Sequence, residues 1–277
     1  MSKFPQDGIR IYPVRTKLVE KGDDLVALIV QALEEAKFDL KDDDIVVITS
    51  KVVSMSQGRL VSLDSIKPSR RSRILAKRYG LEPEFVELVL READEIYGGV
   101  YRALYTLKDN ILTANAGIDH KNVPASSAVL WPNDPSRAAA GIQRRIRSLT
   151  GKRVGVSIID SRITPLRVGT TGVTLGAVGF ELVKDCRGKQ DLYGKPLLIT
   201  KLAVADDIAS AAHLVMGEVD ERTPVAIVRG IPLSPKGKRA ATMIMPPELC
   251  LFMGVFKSRT RILKGKSRGA ANKRLTR

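Results

Sequence analysis

Residues 154–160 read VGVSIID, and Ser161 follows. The run is short, apolar, rich in β-branched side chains and closed by an acid, as expected for a strand covered on both faces. DIVVITS at 44–50 has the same character and predicts a second buried strand. Just before the first run, Ser136–Leu149 has the spacing of a basic amphipathic helix, and Gly151 stands where such a helix ends. A Gly-rich stretch, Gly169–Gly179, comes after it, then a helix over Asp206–Met216 and a strand over Val225–Val228. Towards the N-terminus, Gly8–Val14 reads as a strand broken by Pro13. Gly22-Asp23-Asp24 opens a helix whose Leu25, Leu28, Ile29, Ala32 and Leu33 make one apolar stripe. Pro83 opens a helix carrying Phe85, Leu88 and Val89. Tyr101–Tyr105 and Asn110–Asn115 read as paired strands with Lys108-Asp109-Asn110 as their turn. Strands and helices mix without strict alternation, so the pattern favours α+β over a doubly wound sheet. The connector holding Pro124, Pro132 and Pro135 is a candidate lobe boundary near 124–135.

A chain of 277 residues is long enough for one large domain or two small ones, each with its own core. Cys186 and Cys250 are too few for a disulfide framework or, alone, a zinc site, and predict reduced thiols in a cytoplasmic protein. The start MSKFPQDG lacks the apolar core of a signal peptide. The apolar stretch Ala240–Phe256 is interrupted by Pro246, Pro247 and Glu248, which excludes a membrane span there. The net charge of +16 is uneven: Ile231–Arg277 holds twelve basic residues and one acid. A basic extension over 235–277 therefore predicts either polyanion binding or a solvated terminus. Aromatic residues are sparse, which disfavours base-stacking platforms.

Three acids follow predicted strands or a helix. Asp119 sits in NAGIDHKN, Asp160 precedes Ser161, and Glu218 sits in MGEVDE. Carboxylates at strand ends converge easily on one sheet edge, where hard cations bind through oxygen. A carboxylate beside a hydroxyl also suits magnesium in phosphate enzymes. Each acid taken singly is more often an N-cap or turn former. Gly169, Gly172, Gly176 and Gly179 either bring backbone N–H groups to a phosphate or mark close packing. His120 reads as a surface residue, and His213 as a core or interface residue.

These segments together resemble the coenzyme F420 γ-glutamyl ligases. The resemblance rests on IRIYPVRT, DIVVITSKVVS followed by QGR, NAGIDHKNV, LTGKRVGVSIIDS, DLYGKPLLIT, ADDIASAAHLVMGE and TPVAIVRG, in family order between Ile9 and Gly230. The chain after about Ser234 is expected to lie outside it. The resemblance implies a two-lobed α+β ligase-like domain over 1–234 and a homodimer. It implies GTP-dependent addition of L-glutamate to the phospholactyl carboxylate of the F420 precursor through an acyl phosphate, with a γ-linked second glutamate. It implies two divalent cations, Mg or Mn, and a monovalent cation such as potassium is a further expectation. Carried over by motif, Asp119, Asp160, Ser161 and Glu218 resemble metal ligands. Pro13, Val14, Arg15, Thr16, Ser50, Lys51, Asn122, Glu218, Val219 and Asp220 resemble nucleotide contacts. Arg167 is assigned to the anionic acceptor on its charge alone.

Two loops depart from the family pattern. Asp160-Ser161-Arg162-Ile163-Thr164 stands where the family has Asp-Thr-x-Gly-Arg, and Ser54-Met55-Ser56-Gln57-Gly58-Arg59 where it has Ser-Lys-x-Glu-Gly-Arg. The first keeps the hydroxyl but exchanges Gly for Ile and a cation for Thr. Three functions stay open: a ligase on the F420 precursor, a ligase on another acceptor acid, or a nucleotide-binding or RNA-associated relative without turnover.

Overall fold

The computed structural model describes residues 8–234, 243–256 and 263–264. Most of the basic extension at 235–277, expected to bind polyanions or to be solvated, lies outside the described residues. Along the chain come β1 (Arg10–Val14), α1 (Leu25–Glu35), β2 (Ile45–Thr49), α2 (Ser50–Ser56) and β3 (Leu60–Ser62). Then follow α3 (Arg70–Tyr79), α4 (Pro83–Glu92), β4 (Glu95–Val100), β5 (Ala103–Lys108), β6 (Ile111–Ala114) and β7 (Ser127–Val129). The chain continues with α5 (Pro135–Thr150), β8 (Gly155–Ile163), β9 (Thr170–Val178), β10 (Lys184–Asp185) and β11 (Lys201–Leu202). It ends with α6 (Val204–Met216), β12 (Val225–Arg229), α7 (Leu251–Phe256) and β13 (Leu263–Lys264). The class is α+β. The chain forms two compact units: Met1–Leu60 with Val129–Ile244, and Val61–Ala128 with Met245–Arg277.

The first unit is built on a five-stranded sheet in the order β1-β12-β2-β8-β9. β2 and β8 are parallel, and every other neighbouring pair is antiparallel, so β1, β2 and β8 run the same way. From Ile45 to Ile48, β2 is apolar at every inward and outward position because helices cover both faces. Val46, Ile48, Val156, Ile158, Val225 and Ile227 pack with Leu25, Ile29 and Leu33 of α1 and Ala139, Ile142 and Ile146 of α5. Ile45, Val47, Ile159, Ala177, Ala226 and Val228 pack with Ala205, Ile208, Ala209, Ala212 and Met216 of α6. Burying each of the large aliphatic side chains is worth about 1.5–3 kcal/mol.

Local signals set the helix ends. Asp24 caps α1 by accepting the Ala27 N–H at 3.1 Å, as the Gly-Asp-Asp start suggested. Asp134 caps α5, Pro135 occupies its first turn, and Gly151 closes it with φ 71°. The Gly-rich stretch is the strand β9. A Cβ on Gly172 would stand 2.3 Å from the Ala209 carbonyl oxygen, and one on Gly176 2.4 Å from the Pro135 carbonyl carbon. At these two positions glycine serves close helix packing, the second of the two readings left open.

The second unit contains the antiparallel sheet β13-β4-β5-β6. β5 and β6 turn at Asp109 and Asn110, both with positive φ (51° and 60°), as a tight hairpin requires. The expected strand Tyr101–Tyr105 begins two residues late: Tyr101 and Arg102 instead make the turn between β4 and β5. The strand β4 and the helices α2 and α3 were not expected. Gly98 and Gly99 dilute the β-branched pattern of β4, and α2 follows the β2 run without a break in composition.

Candidate functional site

Strand direction and register gather one set of loops in the first unit. Val14 of β1 pairs with Val225 of β12, and Val225 with Ile48 of β2. Thr49 of β2 pairs with Ile159 of β8. Arg15-Thr16 and Ser50-Lys51 therefore leave the sheet at the same end, where β8 runs on past β2 with Asp160 and Ser161, still paired with β9. The loop Glu218–Asp220 enters β12 at that end. Two backbone bonds tie the loops there: Thr16 N–H to the Arg222 carbonyl at 3.1 Å, and Thr49 N–H to the Pro224 carbonyl at 2.9 Å. Carboxyl ends of parallel strands are where open α/β sheets hold ligands.

Asp160 ends the buried part of β8 beside a bulge. Ile158 pairs with Gly176 and Ile159 with Thr174, which leaves Leu175 as the extra residue on β9. Asp160 Oδ1 accepts the Ser161 N–H at 2.9 Å, and its Oδ2 accepts the indole N–H of Trp131. Glu218 Oε1 is hydrogen-bonded to His213 Nε2 at 2.5 Å and accepts from Thr170 Oγ1 at 3.1 Å. Burial disfavours the charged form of Glu218, but donors from His213, Thr170 and the Ser161 hydroxyl outweigh it and hold its carboxyl below the ordinary value. The loop after it is folded by Glu221, whose carboxylate accepts the Val219 N–H at 2.8 Å.

The other expected site residues lie as follows. Pro13 and Val14 close β1, with Pro13 exposed and Val14 buried; Arg15 is exposed and Thr16 is buried. Ser50 is buried at the start of α2, next to the half-buried Lys51. Val219 and Asp220 are exposed. Arg167 sits in the exposed loop Thr164–Gly169 of the β8–β9 hairpin and makes no side-chain hydrogen bond or ion pair among the described residues. Ile163 ends β8 and is 59% exposed, and Arg162 faces Asp206 of α6 at 3.8 Å. Asp119 and Asn122 belong to the second unit. Asp119 is half-buried and accepts the Lys121 N–H at 2.8 Å, while Asn122 has a positive φ of 53°. His120 lies edge-on to Phe85 with ring centroids 5.1 Å apart.

Sequence reasoning passed over Trp131 and Thr170, and read His213 only as a core or interface residue. Trp131 and Asp160 are twenty-nine positions apart and Thr170 and Glu218 forty-eight, so spacing gives no sign of either pair. His213 stands in the last turn of α6, five positions before Glu218. Its place before an acid-rich loop was the one legible clue.

Asp160, Ser161 and Glu218 offer carboxylate and hydroxyl oxygens, the donors that magnesium and manganese prefer. Among the described residues no group of three His, Cys, Asp or Glu side chains is placed to hold a metal ion. The donor chemistry of the first unit thus fits a hard cation that takes part of its coordination from phosphate or water.

The family model for F420-0:gamma-glutamyl ligase matches residues 13–230, and the chain belongs to that family. The coenzyme F420:L-glutamate ligase of Methanopyrus kandleri is 40% identical over 269 residues, covering 97% of this chain and 98% of its own. Enzymes of the same name from Methanothermobacter thermautotrophicus and Archaeoglobus fulgidus are 39% and 38% identical, over 86% and 83% of this chain and 95% and 90% of theirs. The Methanopyrus match is longer than the 234 residues that precede the basic segment. It therefore runs into a segment expected to lie outside the resemblance. Neither Cys186 nor Cys250 forms a disulfide. No helix of the described residues is long and apolar enough to cross a membrane.

Proposed function

We propose that this chain joins L-glutamate to the phospholactyl carboxylate of coenzyme F420-0 at the expense of GTP, with a second, γ-linked glutamate as a further turn of the same reaction. Family membership and near full-length likeness to enzymes named for this ligation support it. The observation that carries it is the gathering of Asp160, Ser161 and the Glu218 loop at the end of the sheet where β1 and β2 stop.

A carboxylate is a poor acyl donor because its oxygen leaves badly. Attack of that oxygen on the γ-phosphorus expels GDP and leaves an acyl phosphate. The glutamate amine then attacks the acyl carbon, phosphate departs with the bonding electrons, and the amine gives up a proton. Such a transfer needs positioning and charge neutralisation more than a protein nucleophile. Asp160, Ser161 and Glu218 would hold divalent cations, which neutralise phosphate charge when bound. Asp119, in the second unit, is proposed as a ligand and Asn122 as a nucleotide contact on the family resemblance alone. Pro13–Thr16, Ser50, Lys51, Val219 and Asp220 are proposed to contact the nucleotide, and Arg167 the anionic acceptor. A homodimer belongs to the same proposal.

Incubation with GTP, L-glutamate, manganese and F420-0, read by mass spectrometry, tests the reaction. Glutamylated product that fails to form in EDTA supports it. Calorimetry is expected to give micromolar GTP affinity, about −8 kcal/mol, lost with EDTA. Tight GTP binding without product would favour a relative that lacks turnover. A second acceptor is favoured by one observation. Ile163 and Thr164 replace a glycine and a cation, and the neighbouring Arg162 faces Asp206. Product from another acid, with none from F420-0, would select that reading.

A further inference from the structure

We propose that Trp131 is a positioning residue, which fixes the Asp160 carboxylate through its indole N–H and makes the chain's single tryptophan a direct reporter of what binds there. The proposal rests on Asp160 being a cation ligand. Trp131 is 4% exposed, so its N–H is cut off from bulk water and depends on a protein acceptor. That acceptor is Asp160 Oδ2, while Oδ1 takes the backbone N–H of Ser161. Two donors on two oxygens fix the plane of the carboxylate.

The backbone that carries the indole is itself held. Leu130 N–H donates to the Arg59 carbonyl at 3.1 Å, and Arg59 Nε donates to the Trp131 carbonyl at 3.1 Å. Asn133 N–H donates to Gln57 Oε1 at 2.8 Å. Gln57 and Arg59 come from the segment Ser54–Arg59 that departs from the family pattern. In this chain their bonds brace the strand-end residues 130–133. A network of this kind sets the orientation of an ion's ligand, and losing its donor typically costs about 10- to 100-fold in metal affinity.

The test compares wild type, Trp131→Phe, Asp160→Asn, and a protein carrying the benzothiophene isostere of tryptophan at 131. The isostere keeps the indole shape and lacks the N–H, so it serves where the smaller Phe disturbs packing. Free manganese is followed by electron paramagnetic resonance, with and without GTP, and tryptophan emission is recorded in wild type. Emission that changes and saturates with manganese occupancy, together with affinity weakened about 10- to 100-fold in both the Phe and isostere proteins, supports the proposal. Wild-type affinity in the isostere protein, alongside a loss in Asp160→Asn, overturns the positioning role and leaves the ligand reading standing. Manganese affinity unchanged by Asp160→Asn overturns the ligand reading and the positioning role with it.

Discussion

Thr106 is fully buried in β5, and its hydroxyl joins two backbone groups. It donates to the Thr113 carbonyl at 2.7 Å and accepts the Ala116 N–H at 2.8 Å. That N–H opens a turn in which Asn115, Ala116 and Gly117 all have positive φ (53°, 55° and 69°). For a buried alanine this conformation is strained, so its surroundings must hold it in place. Asn115 Oδ1 contributes by accepting the Leu104 N–H at 2.8 Å. The turn leads straight into Asp119. Thr106→Val keeps the shape and leaves the buried Ala116 N–H without its acceptor, at an expected cost of about 1–3 kcal/mol. A lower urea midpoint with unchanged slope would confirm it, and an unmoved midpoint would show that the hydroxyl is dispensable. Asp119 stands out in the sequence because an acid after a β-like run is conspicuous. Thr106 does not, since a threonine inside a strand looks like any β-former. The same holds for Trp131, which reads as core until its N–H is seen to face Asp160.

At the scale of elements, periodicity located α1, α5, α6, β2, β8 and β12 because each has a face or run that burial demands. The pairing between them was not legible. Nothing in the order of the chain says that β12 inserts between β1 and β2, yet that insertion brings the Glu218 loop to the end of β8. The hinge of this loop is Gly217, at the end of α6, with φ 78° and ψ 179°. That region is essentially reserved for glycine. A Cβ there would also fall 2.2–2.5 Å from the Glu221 carboxylate group, which folds the loop by accepting the Val219 N–H. Gly217→Ala is expected to cost about 1–3 kcal/mol from backbone strain. It should also swing Glu221 out and weaken manganese binding at Glu218. Denaturant titration and manganese titration read the two effects separately. A stability loss with unaltered manganese affinity would mean that the loop's position does not matter to the ion.

At the scale of the whole chain, the sequence is discontinuous in space: residues 61–128 form part of a unit separate from what flanks them. The return crossing at Ala128 and Val129 falls in the Pro-rich connector. The outgoing one falls within the short strand β3, where no linker composition marks it. The sheet of the first unit has two unlike ends. One carries the candidate site. The other is closed by Arg229 and Asp44, at the end of β12 and just before β2. Arg229 Nε and an Nη donate to the two Asp44 oxygens, each at 2.7 Å, and Asp44 is 1% exposed. The guanidinium also lies 5.6 Å from the Tyr12 ring centre and 5.3 Å from that of Phe38. Replacing Arg229 by Met keeps length and apolar contact but leaves a carboxylate buried without its cation, which should cost about 3–5 kcal/mol. Adding Asp44→Leu removes the stranded charge, so the double variant should recover much of that loss, as replaced buried pairs often do. Because the pair sits at the far end of the strands from Asp160 and Glu218, manganese and GTP affinities under native conditions should match wild type in both variants. Urea midpoints and calorimetry decide it. If the single variant loses ligand affinity while still folded, the two ends of the sheet are coupled, and the division between a stabilising end and a binding end fails.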